Sequence, residues 1–364
     1  MQDFATRAGS GRSSSAAPDS AFTGGRTAVL IVNTGSPSAP TREAVAQYLL
    51  EFLGDRRVVE LPSWFWQPLL RGIIIPRRAA QSAARYKSVW TEQGSPLMAI
   101  SEQTARRMQQ ALGEGYELDW AMCYGTHRVP EVLARMARSR PDRLVVLPMF
   151  AQYATQTTEA VFDALERGLQ ALEKPLAPEG ILLIESFYNH PRYIEALARS
   201  VRRHWSRTGP LGDGDVLLMS FHGIPQASSD RGDPYEKQCY ETARLLAQAL
   251  GLADAQYRVA FQSKFGRAKW LEPSAVDAAR ALAREGVRRL DVICPGFSSD
   301  CLETLEEIAV ELRGIYLDEA CSQGDGEARF HYIEALNVSE DAVALYAELV
   351  REAASGRLPV RCKA

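Results

Sequence analysis

The sequence predicts an α/β protein of two domains, each a parallel sheet with helices on both faces, arranged around a cleft. Three observations predict it. The 364 residues exceed one ordinary core and fit about two domains of typical size. Short apolar, β-branched runs recur at intervals that leave room for a helix, and the intervals carry amphipathic patterns.

Along the chain, residues 1–26 are rich in Ser, Ala, Gly and Arg and hold no apolar h-region, so they read as a disordered tail rather than a signal peptide. An organelle presequence would share that composition, but Asp3 and Asp19 speak against it. A first domain is expected over 27–188, with strands at AVLIVNTG from Ala28, VVEL from Val58, ELDWAMCYG from Glu117, RLVVLPMF from Arg143 and ILLIESF from Ile181. A second is expected over 189–338, after Asn-His-Pro interrupts the pattern, with strands at VLLMSFHG from Val216, YRVAFQSKF from Tyr257, LDVICPGF from Leu290 and HYIEALN from His331. Amphipathic helices are expected from Pro40, Ser101, Pro191 and Ser274, with Ser101 opening a weak cap pattern. The segment 339–364 begins with Ser339 as an N-cap and is expected to pack its helix back on the first domain.

Residues 62–78, PSWFWQPLLRGIIIPRR, depart from this order. Pro62, Pro68 and Pro76 interrupt a stretch that holds Trp64, Phe65, Trp66, Leu69, Leu70 and Ile73, followed by Arg77 and Arg78. Composition alone favours a buried helix. Aromatics and aliphatics with flanking arginines also suit a membrane interface, or the lip of a pocket for a large flat apolar ligand.

Hydrophobic residues make up 46% and charged ones 24% of the chain, the balance of a globular protein. A net charge of -3 argues against a nucleic-acid partner, which would demand an excess of Lys and Arg. No apolar run reaches the ~20 residues that span a bilayer. The six cysteines form no CxxC pair and read as reduced thiols. A cytoplasmic location follows as the expectation.

In open α/β sheets the ligand crevice lies beyond the carboxyl ends of the strands. His222 stands at such an end, after VLLMSF and before Gly223, where a structural histidine and a ligand are equally plausible. After LDVICPGF, Asp300 or Ser299 can cap a helix on which Glu303, Glu307 and Glu311 recur every four residues. At ~1.5 Å rise per residue they make a row roughly 12 Å long. A solvated acidic face would cost only ~0.2–0.5 kcal/mol per like-charge pair, so the row alone leans toward surface. Glu303, however, lies in the first turn beyond a strand end, beside Leu302 and Leu305.

Taken together these segments resemble the ferrochelatases. SFHGIPQASSDRGDPYEKQC is similar to the family motif that carries the active-site histidine, and CPGFSSDCLETLEEIAVE to its acidic helix. VNTGSPSAPTREAVAQYL, VWTEQGSPL from Val89 and FQSKFGRAKWLEP from Phe261 match in the same order, so the resemblance covers about Thr27 to Val350 and is closest to proteobacterial members. It implies the chelatase fold: two similar Rossmann-like domains with a porphyrin cleft between them. It implies a lyase-class metal chelatase of haem biosynthesis that inserts Fe²⁺ into protoporphyrin IX, releasing two protons to give protohaem.

Carried over by motif, His222 and Glu303 flank the metal at the macrocycle, with Glu307 as a further metal contact. Glu307 and Glu311 extend an acidic path, on a helix that in the family contains a wider π-type turn. Tyr124, Trp270, Thr34, Gln152 and Ser263 line the cleft. Trp64, Phe65, Trp66, Leu69 and Leu70 form its apolar lip, with peripheral contact at the inner membrane as a corollary. Some members hold an iron–sulfur cluster in a cysteine-rich C-terminal tail; here the tail offers only Cys362, so none is expected.

The chemistry explains the residue types. Metal insertion removes two pyrrole N–H protons, which calls for bases on the metal-binding face. A neutral imidazole can accept a proton or ligate Fe²⁺, and a carboxylate can hold a hard cation or carry protons away. Which of His222 and Glu303 does which stays open on sequence. Cys123, His127, Thr34 and the Met149-Phe150-Ala151-Gln152 run depart from commoner residues of the family and bear on cleft shape. The rival readings are a chelatase for another metal or tetrapyrrole, such as cobalt or coproporphyrin, and a two-lobed protein that carries porphyrin or haem without reacting.

Overall fold

The computed structural model describes residues 25–174, 180–266 and 268–362. The expected tail therefore lies outside the described residues except for Gly25 and Arg26, whose backbone N–H donates to Asp142 at 2.7 Å. The run of Val, Leu and Ile in β1 (Thr27–Ser36) is buried almost throughout, as a central parallel strand must be. It is followed by α1 (Arg42–Gly54), α2 (Ser63–Leu69), a π-turn (Leu70–Ile74), α3 (Ile75–Val89), α4 (Pro96–Leu112), β2 (Tyr116–Gly125), α5 (Val129–Met136), β3 (Arg143–Pro148), α6 (Ala160–Gln170) and β4 (Ile181–Leu183).

The second half runs α7 (Pro191–Thr208), β5 (Val216–His222), α8 (Gln226–Asp230), α9 (Tyr235–Leu250), β6 (Tyr257–Gln262), α10 (Ala275–Arg284), β7 (Arg289–Ile293), a π-helix (Glu303–Leu312), α11 (Arg313–Ser322), β8 (Arg329–Ile333), α12 (Glu340–Ala354) and β9 (Arg361–Cys362). The strands form two sheets, in the orders β2-β1-β3-β4-β9 and β6-β5-β7-β8. Every named pairing is parallel except that of β9 with β4. The expected α/β class, two mainly parallel sheets flanked by helices, is the observed one.

Caps account for several helix starts. The Thr41, Ser274 and Ser339 side chains accept from the backbone N–H three residues on, so each satisfies a donor the helix leaves orphaned. Ser101 does not start a helix. Pro96 at the first turn begins α4 five residues earlier, behind Ser95, and Ser101 is buried inside it.

VVEL at Val58 is not a strand either. Asp55 turns the chain there, and the Val58 and Val59 amides both donate to its carbonyl while the side chains pack between α1, α2 and α3.

The two sheets share one core. A single buried cluster runs from Val29 and Ile31 of β1 through Met108 of α4 and Phe187 and Tyr193 at the crossover. It continues into Leu217, Met219 and Phe221 of β5 and Leu345, Tyr346 and Leu349 of α12. α12 packs against α4 and β3 of the first half as well as α7, and β9 then adds an edge to the first sheet. Polar bonds reinforce the join: Ser298 Oγ donates to the Met149 carbonyl (2.8 Å), and the Thr155 amide donates to Asp233 (2.8 Å).

Candidate active site

The carboxyl ends of β5, β6 and β7 meet at one place. His222 ends β5 and pairs in register with Gln262, the last residue of β6. Its Nδ1 lies 2.6 Å from the Gly223 carbonyl oxygen. A carbonyl only accepts, so Nδ1 holds the proton, and in the neutral ring Nε2 keeps the lone pair. Gly223 cannot carry a side chain: a Cβ would sit 2.9 Å from the Gln262 carbonyl oxygen and 3.1 Å from the Trp270 ring. Trp270 thus walls the site beside His222, and Phe297 faces the imidazole with ring centroids 6.3 Å apart.

Gln262 was not singled out by sequence, yet it ties the site together. Its amide N–H donates to the Glu303 carbonyl at 2.9 Å, a part-buried bond, and its oxygen accepts from Ser220 at 2.8 Å, a buried one. The first turn of the π-helix is therefore fastened to the strand beside His222. A second anchor lies at the same turn. Asp300, 5% exposed, accepts from Thr304 Oγ1 (2.9 Å), Tyr332 (2.5 Å) and Asn337 Nδ2 (2.6 Å). Asp300 does not cap the helix by its own side chain to backbone; it gathers these three side chains and the Ala335 amide around the turn.

The next residue after β6, Ser263, adopts the left-handed backbone with φ 65°. That conformation turns both its amide and its hydroxyl onto Glu307, each 2.6 Å from a different carboxylate oxygen. Burial pushes the Glu307 carboxyl above its ordinary range, the Glu303 charge pushes the same way, and the Ser263 bonds and His222 pull against them. The Glu303 charge reaches groups of the first half. After burial, it helps raise the phenols of Tyr48 on α1 and Tyr86 on α3 and the thiol of Cys301.

Several expected site residues lie elsewhere. Glu311 does not continue an inward row: it pairs with Arg85 of α3 at 3.0 Å, 43% exposed. The wider i→i+5 turn of the π-helix breaks the straight-row geometry. Gln152 is 1% exposed and donates to Thr242 of α9 at 2.9 Å, so it links the halves rather than lining an open pocket. Tyr124 is likewise buried, its hydroxyl donating to Asp55 at 2.9 Å. Thr34 is half-buried at the end of β1.

In the lip, Trp64 and Phe65 are 81% and 51% exposed, whereas Trp66 and Leu70 are core, 5% and 0% exposed. Trp66 donates its indole N–H to the Leu53 carbonyl at 2.6 Å, and Leu69 is half-buried beside it. One helical stretch cannot turn every apolar residue outward. Of the departures, Cys123 is a neutral buried thiol pushed up to about 12 by desolvation first, and His127 stacks on Trp120 at 4.0 Å.

A histidine with a free ring nitrogen, a carboxylate whose charge reaches the first half and a second carboxylate of raised proton affinity gather several bases at one site. It can take protons from a ligand or bind a divalent cation. A family model described as Ferrochelatase matches residues 26–354. The protein named Ferrochelatase from Aromatoleum aromaticum is 45% identical over 341 residues, 92% of this chain and 90% of that protein. Its namesake from Azoarcus sp. (strain BH72) is 46% identical over 335 residues, 92% and 89% respectively. Among solved structures, SirB from Bacillus subtilis with Fe3+ aligns with a TM-score of 0.52 at 11% identity, over 92% of this chain and 100% of that one, which bears on the fold alone. With the family matched over almost the whole sequence by two independent measures, the chain belongs to the ferrochelatase family.

Proposed function

We propose that this ferrochelatase inserts Fe²⁺ into protoporphyrin IX and that His222, Glu303 and Glu307 do the proton work. The observation that carries the assignment is the Ser263 clamp, which holds Glu307 close enough to His222 and Glu303 for each charge to act on it. The reaction exchanges two pyrrole protons for one Fe²⁺. The lone pair on His222 Nε2 accepts the first proton, and the imidazolium formed is stabilised by the neighbouring carboxylates. Glu303 accepts the second. Glu307, with its raised proton affinity, takes protons from both and returns them toward water. Trp270 and Phe297 offer apolar faces to a flat macrocycle, which lets binding energy act on the shape of the ring.

Purified protein incubated without oxygen with protoporphyrin and Fe²⁺ or Zn²⁺ is expected to develop metalloporphyrin absorbance. His222→Ala and Glu303→Gln should each lower kcat by about 10²–10⁴-fold, the usual worth of a general base. No turnover by the wild type would sink the enzyme reading, and full activity in both variants would sink the site. Arms with Co²⁺ and with coproporphyrin measure metal and porphyrin preference.

A peripheral membrane contact at the lip is part of the proposal. Leu61, Trp64, Phe65 and Ile73 stand exposed together, near the exposed Arg71, Arg77 and Arg78, a pairing suited to an anionic bilayer surface. No helix among the described residues is long and apolar enough to cross a membrane. Anionic liposomes should retain the wild type and release Trp64→Ser/Phe65→Ser; equal soluble fractions would refute the contact. A cytoplasmic enzyme without an iron–sulfur cluster completes the proposal: free cysteines suit a reducing compartment, and the C-terminal tail offers only Cys362 as a thiolate.

A further inference from the structure

Away from the cleft, the described residues contain two clusters whose ligand atoms lie within 4.8 Å of one another: His204, Asp291 and His331, and His190, Glu348 and Glu352. The first is already neutralised. Arg289 grips both oxygens of Asp291 at 2.9 and 2.8 Å, and Trp205 and His331 each bond to it at 2.8 Å. A guanidinium in that position repels an ion.

In the second cluster the guanidinium that pairs with a carboxylate, Arg192 on Glu348, is a largely exposed one. His190 is the residue before α7, and Glu348 and Glu352 are one turn apart on α12, hence on the same helix face. His190 Nε2 lies 3.1 Å from Glu352, and its other ring nitrogen, Nδ1, is buried with no hydrogen-bond partner. A carboxylate only accepts, so in the neutral ring Nε2 carries the proton donated to Glu352, and this edge of the imidazole, freed of that proton, is the one an ion would share with the two carboxylates. The side chains of His190 and Glu352 are only 13% and 21% exposed, shielded enough to hold an ion, while Glu348 opens to solvent at 31%. Arg192 competes for Glu348 at 2.9 Å, from a side chain that is 60% exposed and free to swing outward.

We propose that His190, Glu348 and Glu352 form a second divalent-cation site, separate from the catalytic one. One imidazole nitrogen and two carboxylates suit a borderline first-row ion of the Zn²⁺ class rather than Mg²⁺ or Ca²⁺, which prefer all-oxygen shells. The ion displaces the proton shared by His190 and Glu352, so binding releases that proton and strengthens with pH. Its place in the fold gives it a task. α7 opens the second half of the molecule, and α12 packs on α4 and β3 of the first, so the ion fastens the crossover to the last helix.

The test uses the full chain with His222→Ala and Glu303→Gln, which disables the catalytic site, and follows Co²⁺ by its visible ligand-field absorption and by equilibrium dialysis. One equivalent is expected to remain. Adding His190→Ala or Glu352→Gln should weaken it by roughly tenfold or more, at least the cost of losing a supporting ligand contact. Arg192→Leu keeps all three donors and should tighten binding. Absence of the residual equivalent, or binding indifferent to all three changes, would overturn the site. Should the first two variants fold poorly, the Arg192→Leu gain decides the matter alone. The proposal is independent of the catalytic assignment, since activity is not its readout.

Discussion

Ser263 shows how one residue's backbone can set another's chemistry. A non-glycine residue at φ 65° is uncommon, and here the left-handed conformation delivers an amide and a hydroxyl to the same carboxylate. Ser263→Ala removes one of two bonds that hold the Glu307 proton affinity down, so that affinity should rise further. The sign follows. Glu307 titrates above its unfolded value, so its ionisation lowers stability as pH climbs from the ordinary carboxylate range through the raised one. In Ser263→Ala that window widens upward, and the acid limb of the pH–rate profile should move to higher pH. On that limb turnover should fall by about tenfold, the worth of one charge-assisted bond of ~1.5 kcal/mol. An unchanged profile would refute the clamp.

Neither His222 nor Glu303 declared itself by residue type alone; their joint placement after strand ends, inside motifs that resemble the family's in order, singled them out. The sequence could not announce Gln262, whose role rests on bonds to Ser220 and Glu303 that only the fold brings together. Nor could it tell Gln152, a buried crosslink, from a ligand contact.

At the scale of elements, the acidic segment is a π-helix over all ten residues from Glu303 to Leu312. Such helices are rare and frequent at functional sites. This one sends Glu307 to Ser263 and Glu311 to Arg85, where an α-helix would align both on one stripe. Deleting Ala309 would favour α geometry across the segment. Turnover is expected to fall by at least about 10²-fold, since a misplacement of ~1 Å costs that much, while far-ultraviolet circular dichroism stays near wild type. Activity within twofold of wild type, roughly 0.4 kcal/mol, would show that the wide turn is dispensable.

Spacing in a sequence cannot reveal such a turn, because i,i+4 carboxylates look alike in either helix. Other elements were legible to different degrees. The long buried runs at β1, β3 and β5 declare themselves because a central parallel strand is apolar on both faces. Val58 and Val59 misled because four residues give no length to separate a strand from a turn packed against helices. In the lip, composition located the segment but not its rotational phase, so Trp64 and Trp66 read alike and face opposite ways.

At the scale of the molecule, the buried cluster that spans both sheets predicts that the halves unfold together. Thermal unfolding of the metal-free protein should show one transition, with calorimetric and van't Hoff enthalpies in agreement. Gln152→Ala should lower stability by about 1–3 kcal/mol, the cost of leaving a buried partner unsatisfied, without splitting that transition. Two resolved transitions would contradict the shared core.

The shared core also constrains traffic. Two lobes joined through α4, α7 and α12 cannot part like a hinged shell to admit a rigid disc as wide as a tetrapyrrole. The proline-broken stretch from Ser63 to Ile75 is anchored inward by Trp66 and Leu70 and exposes Trp64 and Phe65. In the proposed membrane contact that stretch would rest on a bilayer, the phase in which a porphyrin dissolves, and the rate of turnover would then be a property of the membrane as much as of the enzyme.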